Sequence, residues 1–302
     1  LAEHQPSYVA LGIDALRRRA EEAYGRLTGC NLCPHDCGVD RLGEGRGVCR
    51  AGAEALISDY GPHFGEEAPL VGYRGSGTIF FAYCNMKCVF CQNCEISWGG
   101  EGNVVPVEKL ADIMLYLQRR GCHNVNLVTP THFVPQILKA LSLAAEEGLE
   151  IPLVYNCGGY ESLSTLALLD GVVDIYMPDF KYHDTEIARR YSGIRDYVDK
   201  AKAAIREMYR QVGNLKTDER GIAYRGLLVR HLVLPERLAG TTEIMRFLAE
   251  EISPTTFVNV MRQYYPAYRA GEFPPLDRRV TAVEYREAVE EARKLGLNLL
   301  ND

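Results

Sequence analysis

Eight of the ten cysteines in this 302-residue chain stand in two short runs, Cys30-Cys33-Cys37-Cys49 and Cys84-Cys88-Cys91-Cys94, while Cys122 and Cys157 stand apart. Gaps of two or three residues gather thiolates around a small inorganic centre, whereas disulfide frameworks belong to short secreted chains. A chain of this length buries enough apolar surface to fold without covalent staples. The cysteines are therefore read as ligands. With no export signal in residues 1–27, which carry acidic residues and no apolar core, they predict a reducing, cytoplasmic setting.

Composition narrows the classes further. Hydrophobic residues make up 47% and charged residues 25%, which excludes a disordered or collagen-like chain. No apolar run approaches the roughly 18 residues a spanning helix requires, so no membrane partner is expected. A net charge of -6 argues against a large nucleic-acid footprint.

The hydrophobic pattern alternates. Short apolar runs at 78–83 (TIFFAY), 124–128 (NVNLV), 151–156 (IPLVYN), 172–177 (VVDIYM), 227–235 (LLVRHLVLP) and 256–265 (TFVNVMRQYY) read as strands. Amphipathic segments at 107–121, 133–148, 160–170, 185–192, 196–213, 242–252 and 282–296 read as helices, and a further helix is expected over 9–27. Residues 214–226 read as a loop or hairpin, and residues 52–75 as a connector. Strand–helix alternation implies an α/β fold with a parallel sheet, and six units are too few for a closed eight-stranded barrel. The expectation is a partial barrel or open curved sheet over residues 56–302, preceded by an N-terminal helix and Cys-rich module over residues 1–55. In such sheets ligands bind at the carboxyl ends of the strands. Those ends carry Cys84, Thr129-Pro130-Thr131, Asn156, Asp179-Phe180-Lys181, Arg230-His231 and Gln263.

The stretch YCNMKCVFCQNC at 83–94 lets one loop place three thiolates on an iron–sulfur cubane. A zinc site would ordinarily draw four ligands from two separated pairs, and inert buried cysteines would not fall four in eleven residues. The spacing C-x3-C-x2-C at a strand end, with Phe90 before the last Cys, resembles the signature of the radical S-adenosylmethionine (SAM) superfamily. The stretches HFGEEAPL, GSGTIFF, CVFCQNCEIS, NLVTPTHFVPQIL, YNCGGYES, VDIYMPDFKY, RHLVLP and RRVTAVEY, with the N-terminal CNLCPHDCGVDR and GRGVCRAG, look like the branch related to pyruvate formate-lyase activating enzymes, the PflX-like group.

That resemblance implies a (β/α)6 partial barrel. It also implies a [4Fe-4S] cluster on Cys84, Cys88 and Cys91, whose fourth iron takes SAM. One-electron cleavage of SAM there would yield a 5′-deoxyadenosyl radical for hydrogen-atom abstraction, an oxidoreductase chemistry owned by the cofactor. Cys94 stands either as a fourth ligand that would close the vacancy or as a replacement for an aromatic. Thr129-Pro130-Thr131 replaces the Gly-Gly-Glu stretch that meets the methionine amine. Asp179 and Lys181 resemble the Asp-Leu-Lys stretch near the cofactor, Asn156 points at it from its strand, and His231 matches a His near the ribose. Asp179 with Lys181 also reads as a structural pair, and His231 as a satisfied core histidine.

Cys30, Cys33, Cys37 and Cys49, interleaved with glycines, imply a second metal site. Zinc or a single iron would hold the module together, while an auxiliary cluster would relay electrons or bind substrate. His35, inside the set, could replace one Cys as a ligand, but it is expected to be solvated. The expected function is a radical SAM enzyme that activates a glycyl-radical-type protein. A peptide or small molecule modified directly, or a non-catalytic electron carrier, are the rivals. The electron donor would be a flavodoxin or ferredoxin.

Overall fold

The computed structural model describes residues 4–300. In chain order the elements are α1 (Ser7–Leu11), α2 (Ile13–Gly25), β1 (Ala55–His63), α3 (Ala68–Val71), β2 (Ser76–Phe81), β3 (Asn103–Val105), α4 (Val107–Arg119), β4 (Val125–Val128), α5 (Val134–Glu146), β5 (Leu153–Cys157) and α6 (Leu163–Leu169). There follow β6 (Ile175–Pro178), α7 (Thr185–Ser192), α8 (Tyr197–Val212), β7 (Lys216–Thr217), β8 (Ala223–Leu232), α9 (Thr241–Phe247), β9 (Phe257–Met261), α10 (Ala282–Lys294) and β10 (Asn298–Leu299).

The six expected strands are β2, β4, β5, β6, β8 and β9, and they lie side by side in that order, every pair parallel. The order runs from β10 at one edge to β3 at the other, so the sheet is open. Two boundaries differ from the sequence pattern. Residues 55–63, taken as connector, form β1, which pairs antiparallel with β2. Gly61-Pro62 interrupts its apolar run, and Pro is tolerated there because the segment lies toward the sheet edge. β8 starts at Ala223, inside the expected loop, because β7 folds back on it as a hairpin.

The period-2 alternation of each strand sorts its side chains to two faces. Tyr155, Tyr176, Leu227, Val229, Val258 and Val260 join the main core beneath the helices. Val154, Ile175, Met177 and Leu228 face the other way and pack with Leu70 of α3. The short α3 thus covers the lower part of the concave face, and the preceding Glu66-Glu67 lies above it. The N-terminal segment is built into the wall: Ser7 N donates to Asp174 Oδ1 at 2.7 Å and Tyr8 OH to Ile151 O at 2.9 Å. Helix ends carry ordinary stops, such as the Thr281–Glu284 capping box of α10.

Candidate metal and nucleotide site

The three spaced cysteines sit on the loop after β2. Main-chain bonds clamp that loop: Lys87 N donates to Ser192 O at 3.2 Å, Val89 N to Tyr191 O at 2.9 Å, and Arg269 N to Val89 O at 2.9 Å. Its thiols lie among small donors. Met86 N is 3.3 Å from Cys84 Sγ, Ser192 Oγ is 2.9 Å from Cys88 Sγ, and Ser97 Oγ is 3.0 Å from Cys91 Sγ. Cys94 opens the turn Glu95–Gly99 that follows. Burial pushes the Cys84 thiol up to about 12 and raises Cys88, although Lys181 opposes the rise at Cys88. Such thiols stay protonated near neutral pH unless a metal draws off their protons.

One buried group tests whether this loop fits a charged cluster. The Lys87 ammonium is buried, has no hydrogen-bond partner, and stands 5.3 Å from the centre of the Trp98 ring. Desolvation lowers its pKa and Arg50 adds to the fall, while the groups that oppose this are the sulfurs of Cys84, Cys49 and Cys88. A buried cation without a carboxylate is costly. Here its surroundings become favourable once the thiols carry negative charge, as they do on iron. No three His, Cys, Asp or Glu among the described residues are arranged around a single ion. A cubane does not ask for that, since its three thiolates bind three different irons. The residues therefore fit the cluster.

The first cysteine set lies against this loop. His35 Nε2 is 2.7 Å from Asn85 O, and its ring meets Tyr160 edge-on at 5.2 Å. His35 is a bonded link to the cluster loop, which corrects the solvated position expected for it. Arg41 Nη1 approaches Cys30 Sγ at 3.8 Å, and a Cβ on Gly47 would stand 2.8 Å from Cys37 Sγ, so the module closes tightly around its sulfurs. Burial raises the Cys33 and Cys49 thiols. The tetrahedral single-ion arrangement is not formed among them.

Across the concave face stands a charged network. Arg230 Nε donates to Asp179 Oδ1 at 2.8 Å and Lys181 Nζ to Asp179 Oδ2 at 2.5 Å. Arg230 Nη2 donates to Asn156 Oδ1 at 2.7 Å, and Arg230 Nη1 lies 3.8 Å from Glu66 and 4.0 Å from Glu67. Burial alone would raise the Asp179 carboxyl, but Arg230 and Lys181 outweigh it and hold the group below its ordinary value. The structure thus brings Asn156, Asp179 and Lys181 together, with Lys181 close enough to act on Cys88. It adds Glu66 and Glu67, which sequence reasoning did not single out, and Arg230, which the sequence placed at a strand end without assigning it a role. Their signal was faint: Arg230 differs from its neighbour only in strand parity, and Glu66-Glu67 lies in a segment taken as connector.

The other expected residues do not join this charged network. Thr129 has a left-handed φ of 60° and donates its N–H to Asn156 O at 2.8 Å, which ties the turn after β4 to the end of β5. Pro130 leads into the short turn Thr131–Phe133. Thr131 Oγ1 donates to Glu161 Oε1 at 2.7 Å, and Tyr155 OH to Glu161 Oε2 at 3.0 Å. Burial pushes the Glu161 carboxyl up to about 7. Tyr155 belongs to the helix-facing side of the sheet, so Thr131 is turned away from the concave face. His231 faces the helix layer as well. It is fully buried, with Nδ1 2.9 Å from Phe180 O and Nε2 2.9 Å from Thr241 Oγ1. Strand alternation forces this, because Arg230 takes the inward position. Phe90 is a packing residue between Tyr182 and Tyr264.

A family model described as the Radical SAM superfamily matches residues 78–218. A curated protein of Methanocaldococcus jannaschii, described as "Uncharacterized protein MJ0674", is 37% identical over 294 residues, 94% of this chain and 80% of its own length. Among solved structures, a radical SAM methyltransferase from Sphaerobacter thermophilus aligns with a TM-score of 0.52 at 14% identity, over 74% of this chain and 64% of that one. SuiB of Streptococcus suis, solved with its precursor peptide SuiA, gives 0.49 at 13% identity, over 72% of this chain and 46% of SuiB. The chain spans less than two thirds of either solved protein, and the likeness to the methyltransferase is one of fold.

Proposed function

Residues 78–218 form a radical SAM superfamily domain, and from that premise we propose that Cys84, Cys88 and Cys91 hold a [4Fe-4S] cluster at which SAM is reductively cleaved. When bound, these groups supply one-electron scission of the sulfonium C–S bond and a 5′-deoxyadenosyl radical that takes a hydrogen atom from substrate. The observation that carries the reading is the buried Lys87 ammonium, which has thiols as neighbours and no hydrogen-bond partner.

The chain's own residues do the rest. The clamped loop fixes the three thiols against the end of α7. Asp179 orients Lys181 and Arg230, two cations suited to a carboxylate such as that of SAM's methionine part. Asn156, held by Arg230, offers its amide beside them. Thr131 is committed to Glu161, so the contact with the methionine amine falls to main-chain groups of the turn 129–131. An electron donor such as a flavodoxin or ferredoxin completes the balance.

The narrower form of the reading is activation of a glycyl-radical-type protein. The stretches quoted above support it, and the open sheet leaves a lateral side through which a macromolecule can approach. The first cysteine set is proposed as a second metal centre beside the first, joined to it through His35 and Asn85. Anaerobic, iron-loaded protein given reductant and SAM should release 5′-deoxyadenosine and methionine in equal amounts. No release from protein with a full cluster would refute the proposal.

A further inference from the structure

A cavity of about 720 Å³ opens beside β9, lined at its more buried, inner end by Glu66, Glu67, Arg230 and Asn259 and at its exposed mouth by Arg262 and Arg279. It adjoins the cluster loop, because Gln92 Nε2 donates to the main-chain oxygen of Gln263, which also lines it, at 3.1 Å. Its size is that of a pocket for a small organic molecule or a few residues of chain.

The two ends carry opposite charge. At the inner end, the carboxylates of Glu66, Glu67 and Asp179 face only the two cations Arg230 and Lys181. His63, half-exposed, reaches Glu66 at 4.0 Å and adds charge only when protonated. The surplus falls on Glu67. Its Oε1 accepts from Asn259 Nδ2 at 3.0 Å, yet Oε2 has no hydrogen-bond partner although the residue is only 7% exposed. A buried carboxylate oxygen left unpaired costs free energy, and a donor bearing positive charge relieves that cost best. At the mouth, the Arg262 guanidinium lies 5.9 Å from the Tyr285 ring centre and that of Arg279 5.6 Å from Tyr265. Among the described residues neither pairs with a carboxylate, so both remain available to an anion.

We infer that this cavity binds a short charged stretch of a polypeptide substrate, with a side-chain ammonium or guanidinium directed to Glu67 and a carboxylate held by Arg262 and Arg279. The inference rests on the reading that SAM is cleaved beside the cavity, and it names the substrate class for that same site.

The test is calorimetric titration of the iron-loaded, SAM-bound protein with three probes: the tripeptide Lys-Gly-Glu, cadaverine and glutarate. The tripeptide should bind at least tenfold more tightly than either single-charge probe. Glu67→Gln should weaken the tripeptide and cadaverine about tenfold and spare glutarate. Arg262→Gln with Arg279→Gln should weaken the tripeptide and glutarate and spare cadaverine. Absence of tripeptide binding, equal binding by all three proteins, or displacement of the tripeptide by added SAM would overturn the inference. Release of 5′-deoxyadenosine by the wild type is read separately. If release is seen without tripeptide binding, only the substrate class falls. If binding is seen without release, the chemistry falls and the charge match of the cavity stands.

Discussion

Arg230 Nε lies 2.8 Å from Asp179 Oδ1, while Lys181 takes the other carboxylate oxygen, so one largely buried acid holds two cations at the carboxyl ends of neighbouring strands. Removing the acid leaves both cations without their main counter-charge. Asp179→Asn should cost about 3–5 kcal/mol of stability and lower the rate of SAM cleavage. Denaturant unfolding and the yield of 5′-deoxyadenosine check the two effects. The Asp179 carboxyl is held below its ordinary value, so its contribution is present above the unfolded pKa and is lost as pH falls through the folded one. Acid titration of stability should therefore be blunted in the Asn variant.

Cys88→Ala should remove the barrel iron together with SAM cleavage. Cys94→Ala should keep both, because Cys94 starts the following turn and leaves the three spaced thiols intact. Iron and sulfide content per chain separates these outcomes. Equal iron loss in the two variants would make Cys94 a ligand.

Lys87 should set the potential of the cluster it faces. Its ammonium favours the reduced, more negative state, so Lys87→Met should lower the midpoint potential. A change of about 60 mV is a tenfold change in a one-electron equilibrium, and a shift of that order or more is expected. Lys87→Arg keeps the charge and should keep the potential close to the wild type. A redox titration followed by electron paramagnetic resonance reads this directly. A merely structural lysine would leave the potential unmoved in both.

His231 braces the layer between β8 and α9. His231→Leu leaves Phe180 O and Thr241 Oγ1 without their partner and should cost about 1–3 kcal/mol, with no change in the KM for SAM. Burial depresses the His231 ring to about 4 from 6.5. The neutral ring therefore adds stability above the unfolded value, and that contribution is lost as pH falls from about 6.5 toward 4. A raised KM with unchanged stability would instead place the imidazole at the nucleotide.

Six strands and their parallel arrangement were legible because apolar runs bounded by helical periodicity leave few topologies. β1 was not, since Gly61-Pro62 breaks its pattern and its pairing partner is supplied only by the folded edge of β2. Spacing singled out Cys84, Cys88 and Cys91 as candidate ligands, but spacing carries no facing information. Arg230 and His231 are adjacent, and the sequence could not say which of them points inward until the register of β8 with β9 was in hand. The direction of the Thr131 hydroxyl was hidden for a similar reason. Glu161, thirty residues away, claims its hydroxyl through a contact that no local pattern encodes. Lys87 reads as an ordinary loop lysine until its burial among sulfurs is seen.

The central claim is an iron corner, on a cluster held by Cys84, Cys88 and Cys91, that is free to take SAM. Electron paramagnetic resonance of the reduced, iron-loaded protein, recorded with and without SAM, tests it most directly. The account predicts a reduced [4Fe-4S] signal whose g-values shift when SAM is added, in the wild type and in a Cys33→Ala variant alike. A spectrum identical in the presence and absence of SAM would contradict it.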